Sequence, residues 1–386
     1  MSNQHLAKLL LCGACLTLFP GHADYNPSVD RYGSQSMSLN SLGDTNPYKT
    51  VSSSFSDNSF NTELESIKPW QIRLGLKSAI AYLKRNNPNK TVARRGVNVT
   101  NQELADTANI LLDWHGDYTP EAMREHFHLQ RLYRGNLNKS KFTGYYTPII
   151  SAQLHPDDEY RYPIYRSPSF AKSHLSRAKI AAGALRNKGL EVAWTNDPVG
   201  LFYVHIQGSG ILKLPSGKKI SLKFDGDNNK RFKSIATHMK NKGLIASNPS
   251  RNAVKKWLDN HPEKMDQILN INPRFIYFTL NKENTITASG TSIITGHTVA
   301  VDTHYIPFGA VILAEVPIIN SRGQAVGNEW RLLFPQDRGN AITGPGRMDI
   351  YTGIGETARI KANSLTGYGR AYLLLNKPLL DDAMAV

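Results

Sequence analysis

The chain of 386 residues contains only two cysteines, Cys12 and Cys15, and both lie close to its N-terminus. They belong to a segment with an apolar run of eleven residues, 9–19, which a proline ends and small residues follow up to Ala23. This arrangement is typical of a signal peptide, which we predict over residues 1–23. After cleavage behind Ala23 the mature chain would contain no disulfide, so its fold would depend on a hydrophobic core.

The apolar run is also too short for a permanent transmembrane helix, which needs about 20 residues. A second cleavage site is conceivable, because Gly13-Ala14-Cys15 matches part of a lipoprotein box. Cys15 would then become an acylated N-terminus that attaches the protein to the outer membrane. The sequence leaves both destinations open, a free periplasmic protein or an outer-membrane lipoprotein. Residues 24–65 are rich in Ser, Asn, Asp and Gly, which predicts a flexible tether.

Blocks of five or six like charges are absent, although the formal net charge is +15. A basic surface attracts polyanions such as nucleic acid, anionic lipid or an acidic cell-wall polymer. Nucleic-acid-binding tails usually contain such charge blocks, and zinc-finger spacing and RNA-binding aromatic signatures are missing as well. We therefore expect no nucleic-acid partner, while the charge alone does not choose among the other polyanions.

The common catalytic and cofactor motifs are missing too. There is no Walker-type loop and no His-Glu-x-x-His helix, and the glycine pair Gly353 and Gly355 lacks the third glycine of a dinucleotide loop. The Gly-Ser-Gly sequence around Ser209 lacks the spacing of a nucleophile elbow and predicts a tight turn after a strand. His126 and His128 fall in a predicted helix, where residues two apart diverge. These segments therefore give no positive signal for a metal or a cofactor.

The pattern of apolar residues predicts helices first and strands afterwards, and the length suggests about two domains. Helices are predicted at 70–85, at 104–114 behind a capping box that begins at Thr100, and from Pro120 onward. Further short helices are predicted at 176–186, 232–242 and 252–260. Strands are predicted at 142–150, 160–165, 201–206, 298–301, 311–316, 330–334, 348–351 and 370–375. Many short strands separated by turns favour a mainly β fold, a barrel with flanking helices.

Three aspartates follow or interrupt apolar strands in the last 90 residues: Asp302, Asp337 and Asp349. An acid among apolar residues is costly unless it is hydrogen-bonded or paired. Such surroundings raise the pKa of a carboxyl group, which suits a general acid. For any one of them, an ordinary aspartate at a turn is the alternative interpretation.

Several segments resemble, in the same order, the family of membrane-bound lytic murein transglycosylase A with its C-terminal three-aspartate domain. The resemblance covers about residues 66–378. It is carried by segments 142–148, 162–166, 176–185, 204–210, 300–307, 313–317, 336–342, 349–355 and 368–370.

The resemblance implies a double-psi β-barrel domain over 66–145 and 271–380, with a second β domain inserted at 146–270. A groove between the two would bind the glycan. Hydroxyl, amide and aromatic side chains suited to a saccharide are Thr143, Tyr145, Tyr146, Gln207 and Ser209.

The resemblance also implies the reaction, cleavage of the MurNAc-GlcNAc β-1,4 bond of peptidoglycan with formation of a 1,6-anhydro ring. Asp337 would be the acid and then the base, and Asp302 and Asp349 would shape the site or hold Asp337 through hydrogen bonds. By the same resemblance, the reaction needs no metal or cofactor, the expected partner is the glycan strand and the expected state is a monomer. Two alternatives remain: a hydrolytic β-glycanase, which needs a second carboxylate near Asp337, and a non-catalytic, expansin-like wall-binding protein.

Overall fold

The computed structural model describes residues 68–92, 98–168, 174–246, 250–281, 287–339 and 341–377. The predicted signal peptide, the two cysteines and the predicted tether lie outside these residues. Within the described ranges, no helix combines the length and the apolar character needed to cross a membrane.

The described elements are mostly short. The helices are α1 (Pro69–Lys84), α2 (Asn101–Leu112), α3 (Pro120–Met123), α4 (Arg177–Lys179), α5 (Pro198–Gln207), α6 (Ile235–Asn241), α7 (Arg251–Asn260), α8 (Met265–Leu269) and α9 (Gly355–Ser364). The strands are β1 (Phe127–Leu132), β2 (Ser140–Thr147), β3 (Ile149–Gln153), β4 (Tyr162–Tyr165), β5 (Glu191–Thr195), β6 (Gly210–Lys213), β7 (Lys219–Asp227), β8 (Ile276–Asn281), β9 (Thr298–Ala300), β10 (Ile312–Ile319), β11 (Ala325–Asp337), β12 (Arg347–Ile354), β13 (Thr366–Gly369) and β14 (Ala371–Asn376).

The first two predicted helices are confirmed, and their ends have clear local causes. The amide of Glu103 donates to the Thr100 hydroxyl at 3.2 Å, and the Glu103 carboxylate accepts from the Thr100 amide, so the capping box of α2 is formed. In α1, Ile72, Leu76 and Ile80 recur at a spacing of four and are buried. They pack in one cluster with Phe334 of β11, which anchors the helix to that strand.

The prediction of a strand at 201–206 is wrong, because this segment lies in helix α5. Short apolar runs do not separate a buried strand from a buried helix by their periodicity. The end signals do separate them: Asp197 accepts from the amide of Gly200 at 2.7 Å as the N-cap, and Pro198 is the first helical residue. Gly208, with a φ of 72°, ends the helix, so the turn at Ser209 follows a helix and not a strand.

The prediction of a helix around His126 and His128 is also wrong. Helix α3 ends at Met123, and the chain continues into β1, which pairs antiparallel with β14 over its whole length. The partner strand lies about 250 residues away in the chain, so the local pattern of apolar residues could not predict this pairing. The predicted strand at 142–150 is divided at Pro148, and its two parts, β2 and β3, lie in different sheets.

The strands of the described residues form two sheets, each of mixed direction. The larger has eight strands in the order β1-β14-β10-β11-β9-β12-β2-β13, and the smaller has six in the order β4-β5-β3-β6-β7-β8. In the larger sheet, the pairs β11–β9 and β12–β2 are parallel, and β9–β12 is antiparallel. The chain therefore supplies the centre of this sheet from segments that are far apart in sequence.

Each sheet has its own apolar core. Residues of β9, β10, β11, β12 and β14 form the centre of the larger core, and α1 and α2 cover a neighbouring cluster. The smaller sheet packs against α5 through Leu201 and Val204, and α5 in turn packs against α6 and α7. Helix α5 is buried on nearly all sides because it lies between these layers.

Gly346, immediately before β12, provides a test of this architecture. A Cβ atom there would lie 2.2 Å from the backbone carbon of Tyr133 and 2.3 Å from the amide nitrogen of Arg134. We expect Gly346→Ala to lower the free energy of unfolding by about 2 kcal/mol or more in urea titrations, because backbone cannot move aside cheaply. Gly217→Ala is the control, with a φ of +81° but open space, and should cost about 1 kcal/mol. Equal losses of unfolding free energy in Gly346→Ala and Gly217→Ala would contradict the close approach of Gly346 to the backbone of Tyr133 and Arg134.

Candidate active site

Two of the three aspartates lie in one row across the larger sheet. Ala300 of β9 is the register partner of Asp337 on one side and of Asp349 on the other, and Asp349 is in turn the partner of Thr143. Register partners on neighbouring strands point to the same face, and strands are about 4.8 Å apart. The Cα atoms of Asp337 and Asp349 are therefore roughly 10 Å apart. Alanine, the residue between them, adds only a methyl group to the row.

Asp337 is the last residue of β11 and is 4% exposed. Its Oδ2 accepts a hydrogen bond from the Tyr145 hydroxyl at 3.0 Å. Its Oδ1 accepts from the backbone amides of Ala288 at 3.3 Å and Arg338 at 3.2 Å. Three donors around a buried carboxylate compensate its removal from water and fix its orientation.

Asp349 is wholly buried in β12. Its Oδ1 accepts from the Thr143 hydroxyl, which itself accepts from Nη1 of Arg347 at 2.7 Å. Its Oδ2 has no hydrogen-bond partner within the described part of the chain. Burial raises the pKa of Asp349 to about 6, against the opposing effects of Arg347, the Thr143 hydrogen bond and Arg251. The expectation of a raised pKa is confirmed for this aspartate.

The same expectation is wrong for Asp302, which lies just past β9. Burial alone would raise its pKa, but hydrogen bonds outweigh burial and lower it. Its Oδ2 accepts from the Gly344 amide at 2.8 Å, and its Oδ1 accepts from the His304 amide at 3.0 Å and contacts the His304 ring. Asp302 therefore accepts hydrogen bonds from Gly344 and His304, and Asp349 accepts one from Thr143. Neither is hydrogen-bonded to Asp337 in the described structure.

Two aromatic rings complete the face that carries the aspartates. Tyr145 and Tyr351 are register partners with ring centroids 5.2 Å apart, and they form an apolar cluster with Ala300 and Ile342. The Tyr351 hydroxyl is bonded to the Thr147 hydroxyl at 2.9 Å. Sequence reasoning did not select Tyr351 or Arg347. The available signal was their spacing of two from Asp349, which places all three on one face of a strand.

Tyr146 and Gln207 belong to a different environment, because Tyr146 is on the opposite face of β2 from Tyr145. The Gln207 amide is oriented so that its oxygen accepts from Arg251 at 2.7 Å and its nitrogen donates to the Tyr146 carbonyl at 3.0 Å. The Arg251 guanidinium lies over the rings of Tyr146 and Tyr203, at 5.3 and 5.0 Å from their centroids. Both predicted saccharide contacts are thus buried in contacts within the protein.

The remaining predicted site residue, Ser209, is partly buried in the turn between α5 and β6. In the region that the structure describes, no three His, Cys, Asp or Glu side chains are grouped so that they could hold a metal ion. His128 lies in β1 and His126 packs edge-on against Trp114 at 5.2 Å between ring centroids.

These features define a sheet-rich protein with mixed strand direction and a buried, hydrogen-bonded aspartate suited to acid–base chemistry. Two family models match the chain: the MltA specific insert domain over residues 141–279 and the 3D domain over residues 297–375.

Among curated proteins, membrane-bound lytic murein transglycosylase A of Escherichia coli K12 is 34% identical over 248 residues, 63% of this chain and 67% of that protein. The Vibrio cholerae protein of the same name is 32% identical over 238 residues, 60% of this chain and 64% of that protein.

Solved structures agree with the sequence comparison. Escherichia coli MltA with bound chitohexaose superposes with a TM-score of 0.69 at 28% identity, covering 78% of this chain and 89% of that one. A membrane-bound lytic murein transglycosylase from Agrobacterium tumefaciens gives 0.67 at 26% identity, covering 81% and 94%. The chain belongs to the family of membrane-bound lytic murein transglycosylase A.

The raised pKa of Asp349 makes stability depend on pH. Because the folded pKa of about 6 exceeds the ordinary aspartate value of 3.8, Asp349 contributes stability below pH 4, and this contribution is lost as pH rises through 6. As pH rises from 4 to 7, the difference in the free energy of unfolding between Asp349→Asn and the wild type should change by on the order of 3 kcal/mol in favour of the variant. Urea titrations at several pH values measure this difference.

Asp302→Asn is the matched control. The folded pKa of Asp302 is lowered, so its contribution is present above the unfolded pKa and is lost as pH falls below it. Its pH dependence should therefore have the opposite sign. A stability difference between wild type and Asp349→Asn that stays constant from pH 4 to pH 7 would contradict the assignment.

Proposed function

We propose that the protein is a lytic transglycosylase that cleaves the MurNAc-GlcNAc β-1,4 bond of peptidoglycan and leaves 1,6-anhydro-muramyl ends. The observation that carries this proposal is the Asp337 carboxylate, held by Tyr145 and two backbone amides in a chain of this family. The names of the curated relatives support the reaction, and the chitohexaose bound to the Escherichia coli protein supports a β-1,4-linked glycan as ligand.

Asp337 acts first as the acid and then as the base. Its protonated form donates the proton to the glycosidic oxygen, and the bond between that oxygen and C1 of the muramyl residue breaks. The resulting carboxylate removes the proton of the muramyl C6 hydroxyl, whose oxygen attacks C1 and closes the anhydro ring. Asp337 ends in its starting protonation state, and no water is consumed. The hydrogen bonds around Asp337 stabilise the carboxylate that exists between the two steps.

The hydrolase alternative needs a second carboxylate beside the first. Asp349 is wholly buried and bonded to Thr143, and Asp302 is bonded to Gly344 and His304. Neither candidate forms a hydrogen bond with Asp337 in the described structure. This arrangement favours a mechanism with one carboxylate, in which Asp302 holds the backbone at Gly344 and Asp349 ties β12 to Thr143 of β2.

We also propose the architecture and location that accompany this function. The larger sheet would form the double-psi β-barrel catalytic domain, and the smaller sheet, with strands between residues 149 and 281, the inserted β domain. Thr143, Tyr145, Tyr146, Gln207 and Ser209 would border the glycan groove or hold its walls. The protein would act as a monomer on the periplasmic side of the envelope, either free after cleavage behind Ala23 or anchored to the outer membrane through Cys15.

Mass spectrometry of the soluble products from purified peptidoglycan tests the reaction. We expect anhydro-muropeptides from the wild type and none from Asp337→Asn, because the amide neither donates the first proton nor accepts the second. Asp117→Asn is the matched control, an exposed aspartate in the loop between α2 and α3, and should retain wild-type activity.

The other outcomes identify the rival functions. Products that carry one additional water would mean hydrolysis and would contradict the anhydro mechanism. Binding to peptidoglycan without products from the wild type would mean a wall-binding protein and would also overturn the proposal. Anhydro products from a folded Asp337→Asn protein would assign the acid–base role to another residue.

Tyr145→Phe tests the hydrogen bond on Asp337. Loss of the hydroxyl at 3.0 Å removes a donor that stabilises the ionised carboxylate, so Asp337 should keep its proton to higher pH. The basic limb of the profile of kcat/KM against pH should move up by at most about one pH unit. Tyr351→Phe is the control, since that hydroxyl is bonded to Thr147. An equal displacement of the basic limb in Tyr145→Phe and Tyr351→Phe would contradict a specific effect of the Tyr145 hydrogen bond on Asp337.

A further inference from the structure

A cavity of about 430 Å³ lies beside the smaller sheet, between β4, β5, α5 and α8. Its volume is in the range of ligand-binding pockets. Neither Asp337 nor the residues bonded to it line this cavity. A wider cleft of about 610 Å³ adjoins it, and the two share Arg161, Tyr162 and Pro198. The pair forms a continuous depression that the proposed reaction does not use.

Arg177 lines the cavity and is 7% exposed. Its Nε donates to the Asn272 carbonyl at 3.1 Å, and its Nη2 donates to the Arg274 carbonyl at 2.7 Å. Its guanidinium also lies 4.9 Å from the ring centroid of Phe202. Within the described ranges, Arg177 has no carboxylate partner and its Nη1 makes no hydrogen bond. A buried cation without a counter-charge is costly, which points to an anion that is supplied from outside.

His205 is the second polar group of the cavity, and it is 4% exposed. Its Nδ1 lies 2.9 Å from Nη2 of Arg177, which can only donate, so Nδ1 is the acceptor and Nε2 carries the proton. Burial, reinforced by Arg177, lowers the pKa of His205 well below its usual value and keeps the ring neutral. The Nε2–H donor has no acceptor among the described residues. A buried donor without an acceptor is unusual and indicates a missing partner.

The mouth of the cavity extends the same chemistry. Arg161 and Arg186 line it and are exposed, and the rings of Tyr162 and Trp194 supply apolar walls. Glu191 and Asp266 also line it, so three arginines face two acids. The cavity is therefore suited to an extended ligand that carries a carboxylate together with apolar and polar parts.

Helix α5 connects the cavity with the aspartate site. Pro198, Leu201 and His205 lie on its cavity side at helical spacing. Its last residue, Gln207, bonds the backbone of Tyr146, the neighbour of the residue that bonds Asp337. A helix of ten residues is about 15 Å long. An extended peptide of about five residues covers the same distance.

We infer that this cavity binds a carboxylate of the peptide stem that the muramyl residues of the glycan carry. The inference rests on the proposed function for the identity of the ligand. The carboxylate accepts from His205 Nε2–H and pairs with Arg177, while Arg161 and Arg186 contact the part of the stem nearer the solvent. The enzyme would thereby distinguish glycan that carries peptides from naked glycan.

The test is an NMR titration of the full chain with Asp337→Asn, which removes turnover. The probes are the dipeptide L-Ala-γ-D-Glu, acetate and chitohexaose. We expect the dipeptide to shift the His205 ring signals in a saturable manner, and acetate and chitohexaose to leave them unchanged. His205→Phe identifies these signals and keeps the packing on Phe275 and Phe278.

The arginine variants keep the inference testable if His205→Phe does not fold. Arg161→Gln with Arg186→Gln should weaken dipeptide binding about tenfold or more, because charged hydrogen bonds are lost. Arg124→Gln with Arg131→Gln removes the same charge from exposed positions outside the cavity and should leave binding unchanged.

The inference would be overturned if the dipeptide did not shift the His205 signals in a saturable manner. It would also be overturned if both double variants weakened dipeptide binding equally, or if acetate bound as tightly as the dipeptide. Displacement of the same His205 signals by chitohexaose would assign the cavity to the glycan and would also overturn it. The result is separable from the proposed function. Anhydro products without dipeptide binding overturn only the inference, whereas dipeptide binding without any cleavage by the wild type overturns only the reaction.

Discussion

The candidate site depends on the pairing of a three-residue strand. β9 is wholly buried and lies between β11, which runs parallel to it, and β12, which runs antiparallel. Ala300 is the register partner of both Asp337 and Asp349, so one strand sets the position of both acids. A slip of one residue would turn the side chains of β9 to the opposite face, and Ala300 would no longer lie between Asp337 and Asp349. The register shift between Pro335 and Asp337 lies at the same place, where a bulge can redirect the final side chain of β11.

The two acids in this row have different surroundings. Asp337 has hydrogen-bond donors on both oxygens, which stabilise its ionised form. Asp349 has one bonded oxygen and no exposure, and burial moves its pKa towards neutral. Pairs of acids whose surroundings separate their protonation behaviour are common in acid–base sites. Here Asp349, with Thr143 and Arg347, ties β12 to β2 in the same row as Asp337.

Helix α5 contacts both sheets. One side packs on the smaller sheet through Leu201 and Val204, and its C-terminal end reaches β2 through Gln207. Arg251, at the start of α7, lies over the rings of Tyr146 and Tyr203 and donates to the Gln207 oxygen. A ligand in the cavity along α5 would therefore contact the helix whose last residue, Gln207, also holds β2. Specificity for the substituents of a polymer can arise from such a shared support.

Sequence alone determined the family and the sheet-rich class, because motifs in a fixed order carry that information, and the same motifs led to the prediction of Asp337 as the acid–base residue. It also determined α1 and α2, whose caps and apolar spacing are local. It could not determine α5, because a short, wholly apolar run satisfies both a buried strand and a buried helix, and its neighbours decide. Nor could it separate Asp302, whose hydrogen bonds lower its pKa, from Asp349, whose burial raises it. Tertiary structure alone decided these points, since register, burial and hydrogen-bond partners arise between segments that are distant in the chain.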